Sequence, residues 1–479
     1  MKFFDRTSTV STTILIASAL IFGILMAVRM GWFQSGPAFF GPPTITASKT
    51  ETWMGVFQKS RKIGYACRKI TPKADGYDVE ETAFMKLDTM ETVQDVQLDT
   101  TGHLNKDFSV NSFETELKSG VFQFAVKGTV RDNALQLDVS GQKWNIPLKT
   151  PLYLPVNLWD TVRHGADQTS RRPVTISFFD PSTMSIQQIQ ITDLGLEHIM
   201  VMGKPQLARK MAAEVMGARQ LAWIGADGDV LREEGFMGIV LQKMSAEDAK
   251  NPETLMASED MTRAVSVAAD RRIAHPERLQ HLTLRISGAN VISTERQHFE
   301  APILTMTRET LDGLSKTKIS GQEAFLKPDP LVQSDSPDIV RQVAEIVLNT
   351  DAPIVRIQKI MAWISRNIEK RPVLSVANAL ETLHNRMGDC NEHAVLMAAM
   401  ARAAGIPAQI DVGLVYHDGR FYYHAWNSVF LGKWITVDSL MQQMPADVTH
   451  ICLAMGNPET QIELLGVIGK IKISVLEWR

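Results

Sequence analysis

The sequence predicts an α+β fold class: an N-terminal transmembrane helix, then a β-rich antiparallel domain, then a C-terminal α+β domain. Three observations carry this. An uncharged apolar run stands near the N-terminus. A long stretch alternates apolar and polar residues with period two. The C-terminal part opens on two amphipathic helical patterns and closes on three strand patterns joined by tight turns.

The apolar run is "TTILIASALIFGILMAV", preceded by Lys2 and Arg6 and closed by Arg29 and Trp32. It is about as long as the shortest segments that span a bilayer. A cleaved signal peptide is the rival reading, but the small residues of "IASAL" lie inside the run and no A-x-A site follows. Residues 1–33 are therefore expected to be an uncleaved anchor, crossing the inner membrane through residues 13–28. Lys2, Arg6 and the terminal amine outweigh Asp5 and Arg29. That places the N-terminus in the cytoplasm and the bulk of the chain outside, in the periplasm if the cell is Gram-negative.

Residues 34–50, "FQSGPAFFGPPTITASKT" in the main, read as a linker. Residues 51–243 read as the β-rich domain. "FQKSRKIGYACRKI" and "YDVEETAFMKL" flank an Asp75-Gly76 turn, "FQFAVKGTV" and "ALQLDVS" alternate, and "ARQLAWIGADGDVLREEGF" is strand, Asp227-Gly228 turn, strand. No catalytic constellation is evident there. A role in binding substrate or a partner protein is the expectation for it. Residues 244–332 connect, with polar helix-prone sequence and the strand "LQHLTLRISG". Residues 333–479 form the last domain. Its second helical pattern puts Ile357, Ile360, Met361, Ile364 and Ile368 on one face.

A chain of 479 residues with 44% hydrophobic and 22% charged residues has ample material for two or three cores. A net charge of −3 without a lysine or arginine run gives no electrostatic case for nucleic acid. Three widely spaced cysteines make no disulfide framework. Cys67 and Cys452 read as small buried hydrophobes, with a pair between them the alternative.

Cys390 is different. Asp389 is a good N-cap, Glu392 completes a capping box, and Gly405 with Pro407 are stop signals. Cys390 thus falls near the first residue of a helix, where the dipole and free N–H groups favour a thiolate. A merely buried thiol is the alternative until the next segment is read.

"AQIDVGLVY", "FYYHAWNSVF" and "WITVDSL" are three consecutive antiparallel strands. A second turn centred on Leu431 would set His424 opposite Asp438, Trp426 opposite Thr436 and Ser428 opposite Trp434. His424, Trp426 and Ser428 share one face. If that face receives the start of the cysteine helix, Cys390, His424 and Asp438 converge. Histidine would take the thiol proton, aspartate would orient the ring, and the Cys390 N–H would form part of an oxyanion hole. The second donor is not readable.

"GDCNEHAVLMAAMARAAGIPA", "HAWNSV" and "WITVDS" resemble the transglutaminase-like, papain-related superfamily, over about Ser336 to Gly456. That family carries Gly-x-Cys at a helix start, His-x-Trp on a strand and an aspartate on the next. The resemblance implies Cys390 as nucleophile, His424 as base and Asp438 as orienting acid. It implies a cysteine hydrolase, protease or amidase, working through a thioester on a protein or peptide. A cross-linking protein-glutamine acyltransferase and a non-catalytic scaffold are the alternatives. Ser428 stands where a glutamate is common, and Ser439 where a proline is, which bears on substrate preference.

No cofactor is expected. No EF-hand-like acidic loop is present, and a zinc site from Cys390, His393 and His424 lacks a clear fourth ligand. His393 reads as a packing histidine. Trp426 reads as both core and cleft wall.

Overall fold

The computed structural model describes residues 50–479 apart from 140, 156–157, 160–172, 216–217, 315–321 and 457–466. Fifteen strands between Thr50 and Lys243 form one sheet. Neighbours are antiparallel, except that Leu152–Tyr153 runs parallel to Val174–Asp180. The first strand, Thr50–Gln58, lies mid-sheet because the last, Ile239–Lys243, returns to pair with it.

Alternation explains the strands. In Phe122–Arg131, Phe122, Phe124 and Val126 point inward while Gln123 and Lys127 face solvent. Phe113 and Phe179 belong to strands near opposite ends of the order, yet their ring centroids are 5.2 Å apart. The sheet therefore curls around its own core.

The C-terminal part holds α1 (Pro337–Ile346), α2 (Pro353–Asn367), α3 (Ala379–Asn385) and α4 (Cys390–Ala403). These pack on β1 (Ala408–His417), β2 (Arg420–Phe430), β3 (Trp434–Val437) and β4 (Ile451–Gly456). The order is β2–β1–β4, with β3 on the other side of β2. The small apolar side chains of α4, Ala394, Ala398 and Ala401, are buried and bring the helix close to β2. Asn427 of β2 donates through Nδ2 to the Ala394 carbonyl at 3.0 Å, fixing helix against strand. A separate four-stranded sheet joins His281–Ser287 and its neighbours to Lys472–Trp478.

Three expectations are corrected. The fold class is strand-dominated rather than α+β with a transmembrane helix. Twenty-six strands face only four helices of seven residues or more among the described residues. Period-two patterning runs through most of the chain, whereas 3.6-residue patterning is confined to the segment from Pro337 to Ala403. The expected anchor falls on residues 1–33, outside the described residues. Among the described residues no helix is long and apolar enough to cross a membrane, and nothing described supports the single-pass inner-membrane placement.

The second turn is centred on Gly432 rather than on Leu431. Phe430 pairs with Trp434 and Ser428 with Thr436, and the ladder ends at Asn427–Val437. The slip is by two residues, so every side chain keeps its face.

Candidate active site

The site starts at Asp389. Its side chain accepts from the Asn391 N–H at 2.9 Å, and Glu392 accepts the Asp389 N–H at 3.0 Å. This capping box makes Cys390 the first helical residue. The turn before it is held by a short parallel pairing of Lys370 with Gly388. Gly388 is needed there, since a Cβ would sit 2.2 Å from the Glu392 Cβ.

His424 and Asp438 meet although they are not ladder partners. His424 Nε2 lies 2.7 Å from Asp438 Oδ2, and both residues are buried. The carboxylate only accepts, so this nitrogen carries the proton. Nδ1 is left as the ring nitrogen not committed to Asp438. Burial alone would raise the Asp438 carboxyl. His424, and behind it His450, instead hold it well below the usual carboxylate range.

Cys390 and His424 line one cavity of about 510 Å³. Its walls include Gly388, Asp389, Tyr422, Tyr423, Leu440 and Met441. The other wall comes from elsewhere in the chain. Met90 and Glu91 at a hairpin tip of the large sheet, and Asp260, Thr262 and Arg263 of the connecting segment, also line it. Met90 donates its N–H to Asp260 at 3.3 Å, so those two pieces are tied together.

The thiol differs from the expectation drawn from the helix dipole. Burial, and then the neighbouring Asp389 charge, push the Cys390 thiol well above its ordinary value. A backbone hydrogen bond from Ala425 pulls the other way. The net upward direction runs against the thiolate expected from the helix dipole.

Trp426 lies beneath His424 rather than in the cleft wall. It is buried, roughly parallel to the His424 ring at 6.1 Å, and edge-on to His450 at 5.2 Å. His393 is buried, with Nδ1 2.7 Å from the Asp389 carbonyl. Tyr416 and Phe421 belong to the core, whereas Tyr422, Tyr423 and His417 reach the cavity.

Sequence reasoning missed His450. Its Nε2 lies 3.0 Å from Asp438 Oδ2, the oxygen that also receives His424, and its Nδ1 lies 3.3 Å from Asp447 Oδ1. Nothing in "THICLAMG" marks it, because one polar residue ahead of an apolar strand looks like a turn residue. His424, Asp438 and His450 put three ligand-type atoms within 4.8 Å of one another, the one such group among the described residues. Both Nε2 atoms aim at one carboxylate oxygen at hydrogen-bond length. They therefore carry protons there, and a protonated nitrogen is not a metal ligand. The group is a hydrogen-bonded chain.

The arrangement offers a thiol at a helix N-terminus, an imidazole on the same cavity, and a buried carboxylate behind the imidazole. Three solved structures show limited likeness to the chain. One is described as a candidate cysteine protease from Cytophaga hutchinsonii, at 18% identity over 42% of this chain and 86% of that one, with a TM-score of 0.29. A β-barrel-like protein from Brucella abortus is 11% identical over 40% of this chain and 93% of that one, with a TM-score of 0.31. A candidate protease from Parabacteroides distasonis is 10% identical over 66% of this chain and 63% of that one, with a TM-score of 0.20. No curated protein matches the chain. The family model of the transglutaminase-like superfamily matches residues 341–439, and this segment is a transglutaminase-like domain.

Proposed function

We propose that the protein is a thiol hydrolase acting on amide bonds of proteins or peptides, with Cys390 as nucleophile, His424 as general base and acid, and Asp438 as the orienting carboxylate. One observation carries the reading. Cys390 and His424 open on the same cavity while Asp438 holds the far nitrogen of His424 at 2.7 Å.

The sequence of steps follows from the protonation states. His424 Nδ1 accepts the thiol proton as sulfur attacks the carbonyl carbon. Asp438, held ionised, stabilises the imidazolium that forms. The Cys390 N–H at the helix start donates to the developing oxyanion. The leaving amine takes the proton from His424, and a thioester remains. Water, deprotonated by the same nitrogen, then attacks the thioester and releases the acid and free thiol.

The test is a peptide-library digestion by the purified protein. New amino termini are expected from the wild type and none from Cys390→Ala. Incorporation of an added primary amine into glutamine side chains, without new termini, would make the acceptor an amine and overturn the hydrolase assignment. Equal behaviour of wild type and Cys390→Ala would overturn acyl transfer altogether.

A further inference from the structure

Asp438 has two imidazole neighbours, and the triad reading uses only one. His450 is fully buried, with a side-chain exposure of 0%. Its ring lies between two carboxylates, 3.0 Å from Asp438 Oδ2 through Nε2 and 3.3 Å from Asp447 Oδ1 through Nδ1. Trp426 covers it edge-on, and its centroid is 5.7 Å from that of His424. Asp447 is itself fastened. The Thr449 N–H and hydroxyl donate to its Oδ1 at 2.8 and 2.6 Å, and Gln443 donates to Oδ2 at 3.0 Å. Arg296 donates to its main-chain carbonyl at 2.6 Å.

We propose that His450 is a positioning residue of the active site: it fixes Asp438 through the same oxygen that receives His424, and by sharing that carboxylate's charge it sets the basicity of His424. The proposal rests on the triad reading above.

The physical case is electrostatic. Burial would push the His450 imidazole down, but Asp438 and Asp447 push it up to about 9. An acceptor at each ring nitrogen favours the imidazolium, with two N–H donors matched to two acceptors. Asp438 is then shared between His424 and this second, positively charged ring. The other titratable and charged groups nearby are Cys390, His393, Asp389 and Glu392 on the helix side and His424 itself; Asp447 faces His450 from behind, with Arg296 on its main-chain carbonyl. A carboxylate already paired with a cation attracts a second proton less strongly. By sharing the same oxygen, His450 lessens the pull of Asp438 on the proton that His424 takes from the thiol.

The direct test is ring ¹⁵N NMR of histidine-labelled protein, wild type against His450→Gln. Glutamine retains one donor for Asp438 but removes the charge. The titration midpoint of His424 is expected to rise by about one pH unit in the variant. The acidic limb of kcat/KM for p-nitrophenyl acetate should rise with it, KM staying within about twofold. In the wild type, His450 should show two protonated ring nitrogens at pH 7. Should His450→Gln fail to fold, the wild-type spectrum alone still decides, because the protonation of both His450 ring nitrogens is read there. An unmoved His424 midpoint with a uniformly lowered rate, or a neutral His450 ring at pH 7, overturns the proposal. The NMR readout needs no turnover. Absence of Cys390-dependent ester hydrolysis would therefore sink the triad reading and leave the coupling of the two rings to be judged from their titrations.

Discussion

Asp438 shows how much one residue can organise. Its Oδ2 accepts from His424 and His450, and its Oδ1 accepts the Met441 N–H at 2.7 Å. Replacing it with asparagine keeps the shape but permits an amide N–H to face the imidazole, which reverses the ring's tautomer. Asp438→Asn is expected to lower kcat for ester hydrolysis about 10³- to 10⁴-fold with a small change in KM. Loss of folding, read by thermal melting, would instead place Asp438 among structural groups. A second buried acid gives a stability test. Burial pushes Asp411 of β1 up to about 7, against the hydroxyl of Ser428, which hydrogen-bonds it. Its folded-state value lies above the ordinary 3.8. Its stabilising contribution is therefore complete below pH 4 and declines as pH rises through about 7. Asp411→Asn should flatten that decline, a relative gain of about 1–3 kcal/mol at pH 8 over pH 4 in urea unfolding. An unchanged pH slope would mean that the carboxylate is compensated.

Among the elements, α4 and β2 carry the site, and they differ in how much of them the sequence discloses. The α4 start is local. Asp389, Cys390 and Glu392 lie within one turn, and the capping box formed by the first and last is legible from spacing alone. Period two puts His424, Trp426 and Ser428 on one face, but α4 packs on the other, against Ala425, Asn427 and Val429, which alternation alone does not decide. The register was not legible, since the Leu431–Lys433 turn has no Asn-Gly or Asp-Gly signature to set its centre. His450 was not legible either. It arrives from beyond a loop that folds back through the Asp438–Gln443 bridge, a contact between segments that no local pattern encodes. Gly388→Ala tests the element directly. The new methyl group would press on Glu392, so a loss of about 1–3 kcal/mol in stability is expected. A slower Cys390 acylation should accompany it. Unchanged melting and acylation would show that the helix start can shift without cost to the site.

At the scale of the whole molecule, the cleft belongs to two parts of the chain. The curled sheet sends Met90 and Glu91 to one wall, and the transglutaminase-like domain supplies Cys390 and His424 at the other. Gln94 donates to the Pro372 carbonyl at 3.2 Å and Gln123 donates its N–H to Glu381 at 3.0 Å, so the two parts are hydrogen-bonded on that side. Under the proposed function the large sheet would act in selecting the substrate and not in the chemistry. Met90→Ala with Glu91→Ala is expected to raise KM for a protein substrate about three- to tenfold and to leave p-nitrophenyl acetate acylation unchanged. A fall in both would make the hairpin a structural support of the catalytic helix. The central claim, that Cys390 is a nucleophile served by His424, meets its most direct test in the p-nitrophenyl acetate reaction followed by peptide mass spectrometry. One acetyl group per chain on Cys390, formed about 10²-fold or more slowly in His424→Ala, is the expected result. Acetylation of Cys390 at the same rate in both proteins, or none at Cys390 in the wild type, would contradict it.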